Sequence, residues 1–215
     1  MIILIITKIE KQKNNEKRYS IFIDNEFAFG IGEVDLLYYK LKENEILDEE
    51  KYNYILNKLL LKRAKDKALK YLGYKMRSKK QVITKLEQND FPPNVINKVI
   101  NILEKYNYIN DEDFAKAFIK DKLNLNGYGI FKISYDLKIL GIEEEIYKKY
   151  LYNDKFINEE QKAKDLLLKK LKGKNIQDLD YKEKQKIYAY LARRGFSYDS
   201  INKAFNYLLE DFNYE

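Results

Sequence analysis

Apolar positions along the chain follow two periods. The first thirty residues carry β-branched and aromatic runs of strand character: Ile2 to Ile9, Tyr19-Ser20-Ile21-Phe22-Ile23 and Phe27-Ala28-Phe29. Asp24-Asn25 makes a turn between the last two, and Gly30 and Gly32 close the segment. A small antiparallel β-meander is predicted, with one face covered by the helices that follow, because so few strands are marginal alone. From Glu33 the period becomes that of a helix. Val34 to Leu37 opens a short helix in an acidic region, and a longer helix aligns Tyr52, Ile55, Leu56, Leu59, Leu60, Ala64, Ala68, Tyr71 and Leu72 on one stripe, stopping at Gly73.

Beyond Gly73 three stretches echo one another at a spacing of about fifty residues, the signature of a repeated supersecondary unit. They run from Val82 to Phe91, from Ile133 to Ile142 and from Ile187 to Phe196. Each is a helix-period segment, a stop, one large apolar residue and a second helix-period segment. Gly141 and Gly195 suit left-handed helix ends. Phe91, Ile142 and Phe196 are expected to plug local cores. Ser78-Lys79-Lys80-Gln81 fits a capping box and Asp180-Tyr181-Lys182-Glu183 matches it more loosely. Pro92-Pro93 suits a helix start, Glu143-Glu144-Glu145 complements a helix dipole, and Asn110 and Ser197 suit N-caps. The fold class that follows is mainly α: three tandem three-helix repeats in an elongated array, preceded by the meander. The expected divisions are 1–61, 62–108, 109–152 and 153–215, with a polar connection at 153–158.

Composition removes several chemistries. The chain has no Cys and no His, which excludes Ser-His-Asp and Cys-His nucleophilic systems, Cys/His zinc sites and haem ligation by either residue. The N-terminal apolar run is too short for a signal peptide and no stretch spans a bilayer, so a cytoplasmic protein without a membrane is expected. Gly127-Tyr128-Gly129 carries two glycines of a dinucleotide fingerprint, but Lys132 stands at the third position and the pattern before it is helical; the glycines are expected to shape a loop that opens the helix of Ile133 and Leu137. Asp111-Glu112-Asp113 and Glu143-Glu144-Glu145 sit at predicted helix N-termini, where the dipole already accounts for them. No catalytic residue, metal or cofactor is expected, and the chain is not read as an enzyme.

The net charge is +7, which AT-rich coding alone can produce in a chain this rich in Lys, Ile, Asn and Tyr. Local clustering says more. Lys62, Arg63, Lys65, Lys67, Lys70, Lys75, Arg77, Lys79, Lys80 and Lys85 are opposed only by Asp66, with Tyr71 and Tyr74 interleaved. Such a cluster on adjoining helices neutralises a polyanion; the competing reading is a solvated helix face. A second group contains Lys162, Lys164, Lys169, Lys170, Lys172 and Lys174, with Arg193 and Arg194 nearby. Paired arginines before a helix-ending glycine bind carboxylate or phosphate, or equally stabilise the helix C-terminus. The residues expected at a partner or DNA surface are Lys65, Lys70, Tyr74, Lys75, Arg77, Lys79, Lys80, Lys85, Lys169, Lys170, Arg193 and Arg194.

Five motifs, in order, resemble the RecX family of regulatory proteins of the RecA recombinase. They are Ala68-Leu69-x-Tyr71-Leu72; Arg77-Ser78-x-x-x-Val82-x-x-x-Leu86; Tyr108-Ile109-Asn110-Asp111-x-x-Phe114-Ala115; Gly129-x-x-Lys132-Ile133-x-x-x-Leu137-x-x-x-Gly141-Ile142; and Leu191-x-x-Arg194-Gly195-Phe196 with Ile201. Lys75 stands where an arginine is common, and Asn107 where the family favours glycine. The resemblance implies a non-enzymatic negative regulator, and a monomer is expected. Such a protein binds along the RecA–DNA filament groove and limits filament growth, strand exchange, ATP hydrolysis and coprotease activity, contacting RecA and single- or double-stranded DNA directly or within the filament. The alternative is a direct DNA-binding helix-turn-helix-type module without a recombinase partner.

Overall fold

The computed structural model describes residues 4–13, 15–124, 127–152 and 158–211. It is mostly helical with one N-terminal antiparallel sheet, and divides into two compact units, residues 1–110 and 111–215. The polar connection expected at 153–158 lies almost wholly outside the described residues.

The sheet begins with β1 (Leu4–Gln12), β2 (Asn15–Ile23) and β3 (Glu26–Gly32), joined in sequence as a meander. Asp24 and Asn25 both take positive φ, 49° and 70°, as the hairpin turn that matches strand twist requires. A fourth strand, β4 (Ile46–Leu47), pairs with the other edge of β1, giving the order β3-β2-β1-β4. The acidic segment around it is therefore tied down: the Glu43 carboxylate accepts from the Ile9 amide at 2.7 Å, and the Asn44 amide donates to the Ile6 carbonyl at 2.7 Å.

Helix α1 (Glu33–Tyr38) follows β3, and after β4 come α2 (Glu49–Tyr54), a π-helical turn (Ile55–Leu60) and α3 (Leu61–Leu72). The single long helix expected here is thus widened in the middle. Bonding from i to i+5 places Ile55 and Leu60 one turn apart, and both are buried with Leu56. Helices α4 (Lys79–Glu87) and α5 (Pro93–Lys105) complete the first three-helix repeat. Gly73 ends α3 as expected, but with right-handed φ of −63°. Sheet and repeat share one core, in which Ile6, Ile21, Phe29 and Ile31 meet Leu60, Ala64, Val82, Leu86 and Phe91.

In the second unit, α6 (Asp111–Asn124), α7 (Ile130–Ile139) and α8 (Glu144–Leu151) form one repeat, and α9 (Glu159–Leu171), α10 (Tyr181–Arg193) and α11 (Tyr198–Asp211) the next. Each encloses its own core, around Ile133 and Leu137 in one and Leu167 and Leu191 in the other.

The middle helix ends identically in all three repeats. Asp90, Gly141 and Gly195 take φ of 56°, 81° and 85°. Their amides donate three residues back, to Glu87, Lys138 and Ala192, at 2.9, 3.1 and 2.9 Å. The next amides, of Phe91, Ile142 and Phe196, donate five residues back, to Leu86, Leu137 and Leu191, at 3.3, 3.0 and 3.3 Å. This bond pair is the Schellman motif, in which the residue after the left-handed turn packs on the last helical turn. Leu86, Leu137 and Leu191 are each 0% exposed, under plugs that are 6%, 4% and 4% exposed. Both capping boxes are complete: Ser78 with Gln81, and Asp180 with Glu183. The Ser197 hydroxyl accepts from the Ser200 amide at 3.1 Å, as its N-cap role requires.

The second and third repeats are locked by backbone. Gly129 N donates to the Arg194 carbonyl at 2.9 Å, and Phe131 N to the Gly195 carbonyl at 3.0 Å. A Cβ on Gly129 would sit 2.3 Å from that Gly195 oxygen, and one on Gly195 would sit 2.2 Å from Lys132 N. The Glu159 carboxylate reinforces the seam, accepting from Ile130 N at 2.9 Å, Ser200 Oγ at 2.8 Å and Ser197 Oγ at 3.1 Å. Gly127-Tyr128-Gly129 therefore shapes the loop that opens α7, with Gly129 as its N-cap.

Chemical denaturation checks two expectations. Phe91→Ala and Phe196→Ala should each cost about 3–5 kcal/mol, since both rings are nearly fully enclosed. Gly173 has positive φ but open space around it, so Gly173→Ala should cost about 1–2 kcal/mol of backbone strain. Gly195→Ala adds overpacking to the same strain and should cost about 3 kcal/mol or more. Equal losses for the two glycines would refute the locked seam.

Candidate partner-binding surface

Helix α3 buries Ala64 and Ala68 and turns Lys62, Lys65, Asp66, Lys67 and Lys70 outward, because four-residue spacing puts the two alanines on one face. The link after it exposes Tyr74, which is 74% accessible, and Lys75. Lys79 and Lys80 then occupy the first turn of α4, which contains no acidic residue. Two cations there oppose the helix dipole, whose positive end favours anions. Lys79 offsets part of that cost by pairing with Glu104 at 2.8 Å.

Arg77 and Lys85 converge on one aromatic face. The Arg77 guanidinium lies 4.1 Å from the Tyr71 ring centre, and Lys85 Nζ lies 5.9 Å from the same ring. Such stacking holds a cation while leaving its outer side open. Arg77 Nε is buried and has no acceptor among the described residues. Lys70 and Lys85 also belong to a group with Lys67 and Arg18. Burial first, then the charges of Lys85, Arg18 and Lys70, lower the proton affinity of Lys67. Not every nearby cation is available: Arg63 grips Asp35 through Nη2 at 2.9 Å and Nε at 3.2 Å, and that bond raises its proton affinity.

The other expected residues lie in the second unit. Lys169 and Lys170 are exposed in the last turn of α9, where the dipole favours cations. Lys170 Nζ sits 4.7 Å from the Tyr190 ring centre. Arg193 is exposed at the end of α10, but Arg194 turns inward. Its guanidinium lies 5.0 Å from Tyr190 and 5.7 Å from Tyr128, and Nη1 donates to the Gly127 carbonyl at 3.4 Å. Arg194 thus joins the second and third repeats, while its neighbour presents charge. Among the described residues, no group of three acidic side chains is arranged to hold a metal ion, and no helix is long and apolar enough to cross a membrane.

Sequence reasoning missed Arg18 and Glu159, and it named Lys67 in the basic cluster but not among the expected surface residues. Arg18 is a strand residue 71 positions from Asn89, whose carbonyl its Nη2 reaches at 2.7 Å. The one available signal was Gly30, which lacks a Cβ where one would lie 2.9 Å from Arg18 Nη2 and 2.7 Å from Asp90 Cβ.

Fold and surface define a class: a helical-repeat protein with an N-terminal sheet and clustered, aromatic-backed cations. Comparison with known proteins names the family. Four consecutive family models match: the regulatory protein RecX N-terminal domain at residues 4–48, and the first, second and third three-helix domains of RecX at 64–103, 110–151 and 158–205. Regulatory protein RecX of Clostridium botulinum strain Eklund 17B is 32% identical over 96% of this chain and 99% of its own length. That of Clostridium beijerinckii is 37% identical over 89% and 90%, and that of Bacillus subtilis strain 168 is 34% identical over 93% and 75%. A crystal structure of regulatory protein RecX matches with a TM-score of 0.61 at 26% identity, over 93% of this chain and 97% of that one. The crystal structure of RecX from Lactobacillus salivarius matches with the same TM-score of 0.61 at 29% identity, over 69% and 96%. The chain belongs to the RecX family of regulatory proteins.

The start of α4 separates stability from binding. Lys80→Glu should raise unfolding stability by about 0.5 kcal/mol, because it reverses an unfavourable charge–dipole contact. A loss above about 1 kcal/mol in urea titration would mean that Lys80 supports the fold instead.

Proposed function

We propose that this chain is a negative regulator of a RecA-type recombinase. It binds along the groove of the recombinase–DNA filament and limits filament growth, and with it strand exchange, ATP hydrolysis and coprotease activity. Membership of the RecX family across all four domains carries this reading. The geometry supports it in two respects. Two repeats locked through Gly129, Gly195 and Glu159 present a fixed surface to an extended partner without ordering cost at that seam. Separately, Tyr74, Lys75, Arg77, Lys79 and Lys80 present cations and an exposed ring from one short segment, suited to acidic protein surfaces and to nucleic-acid phosphates and bases.

The decisive measurement adds the purified chain to its cognate recombinase on single-stranded DNA and follows ATP hydrolysis. Inhibition is expected at up to equimolar amounts, and unchanged hydrolysis overturns the proposal. The Lys75→Glu, Lys80→Glu double variant should need about tenfold more protein for the same inhibition, the equivalent of two reversed surface contacts. Tight binding to naked duplex without inhibition would favour a direct DNA-binding module instead. Six neutralised phosphates would then give a log–log salt slope of about −5.

A further inference from the structure

The boundary between the sheet and the first repeat collects cations from several elements, Lys11 of β1 among them. Strand β2 brings Lys17 and Arg18, α3 brings Lys67 and Lys70, and α4 brings Lys85. Arg18 stands between two open clefts of about 440 and 670 Å³. Lys17, Lys67 and Lys70 line the smaller and Lys85 the larger.

Arg18 is held from several sides. Its guanidinium lies 5.9 Å from the Phe91 ring centre, its Nη2 is fixed by the Asn89 carbonyl, and Gly30 leaves room for it. Its Nε is buried and has no acceptor among the described residues. Burial lowers the proton affinity of Arg18, partly countered by Asp90 and Asp35. The carboxylates of the clefts are largely committed elsewhere: Asp35 to Arg63, Glu10 to Lys8 at 3.1 Å, and Glu33 to the Tyr19 hydroxyl at 3.4 Å. Asp66 and Asp90 are left to face the remaining cations. Lys70 and Lys85 fall in the last turns of their helices, where the dipole accounts for them. It does not account for Lys67, on which the charges of Lys85, Arg18 and Lys70 act together.

We propose that this boundary is a phosphate-binding site, centred on Arg18, that takes neighbouring phosphate groups of a polyanionic chain. Two clefts flanking one fixed guanidinium exceed the needs of a single phosphate, and cations stand on both sides. Arginine supplies directional donors, and the lysines supply point charges along the path. The source of the phosphates is a nucleic-acid backbone or a free polyphosphate, which share this chemistry. The site is a property of the chain alone and does not rest on recombinase inhibition.

With only five arginines, the side-chain ¹H–¹⁵N spectrum of the full-length chain has few Nε signals, and that of Arg18 is assigned through bonds from its backbone. No Arg18 variant has to fold. The chain is titrated separately with tripolyphosphate and with a short abasic deoxyribose–phosphate strand. A saturable shift of the Arg18 Nε signal is expected. A shift with both probes supports a site for phosphate groups as such, with the strand alone a backbone site, and with tripolyphosphate alone a free-polyphosphate site. An Arg18 signal that moves with neither overturns the proposal, whatever the recombinase assay returns. The Lys67→Gln, Lys70→Gln variant should bind about tenfold more weakly or worse, and Lys62→Gln within about twofold of the native chain. Native affinity in the double variant would also overturn the site.

Discussion

Everything built by the three repeats depends on one turn, the left-handed residue that stops each middle helix and delivers an apolar side chain onto it. Without that turn, the chain leaving α4, α7 or α10 would have no fixed direction. The helices that follow would then have no fixed crossing. The turn uses bonds internal to the chain. Amides three and five residues along reach back to carbonyls that a helix end leaves without partners. Phe91, Ile142 and Phe196 are buried because those bonds aim them at Leu86, Leu137 and Leu191. In two repeats the left-handed position is glycine. In the first it is Asp90, a strained choice whose backbone carbonyl accepts from Gly30 N at 2.9 Å and so joins sheet to repeat.

The same turn then serves different ends. Gly195 closes its own repeat and is also the surface on which α7 rests, so its lack of a side chain is required twice, by φ and by proximity. Asp90 closes the first repeat and faces Arg18, bringing the sheet, the helix end and the plug Phe91 into one neighbourhood. Identical local chemistry makes a helix–helix seam in the second unit and a sheet–helix seam in the first. What differs is the partner the sequence places beside it.

This division explains what the sequence made legible. Capping boxes, Schellman turns and plugs join residues three to five positions apart, so their chemistry is written in adjacent letters, and Ser78, Asp180, Gly141 and Gly195 could be read directly. The π-helical turn escaped because Ile55, Leu56 and Leu60 fit an ordinary helical stripe as well as a widened one. Strand β4 escaped because two residues carry no period; its pairing with Leu4 and Ile5 is set from the far end of the sheet. For the surface, the basic stretch of α3 and α4 was visible as composition, but the roles inside it were not. Arg193 and Arg194 are adjacent and chemically identical, yet one is exposed while the other stacks on Tyr128 and Tyr190. Arg18 looked like any lysine-rich strand position, because its partners are some seventy residues away.

The three middle helices also differ at their starts, and the difference bears on where the first repeat spends stability. The start of α10 carries Asp180 and Glu183, which satisfy amides and complement the dipole. The start of α7 receives Glu159 from α9, a carboxylate on its first amide. The start of α4 has a box of Ser78 and Gln81, complete in hydrogen bonds but without charge, and between them stand Lys79 and Lys80. A sequence selected for stability alone would place glutamate there, as the other two repeats place acids. Lys79 recovers part of the cost through Glu104 at 2.8 Å, and a local rule broken in this way marks a position to test for another purpose. Here the break leaves two lysines at the positive end of a helix, shortly after Arg77, whose guanidinium stacks on Tyr71.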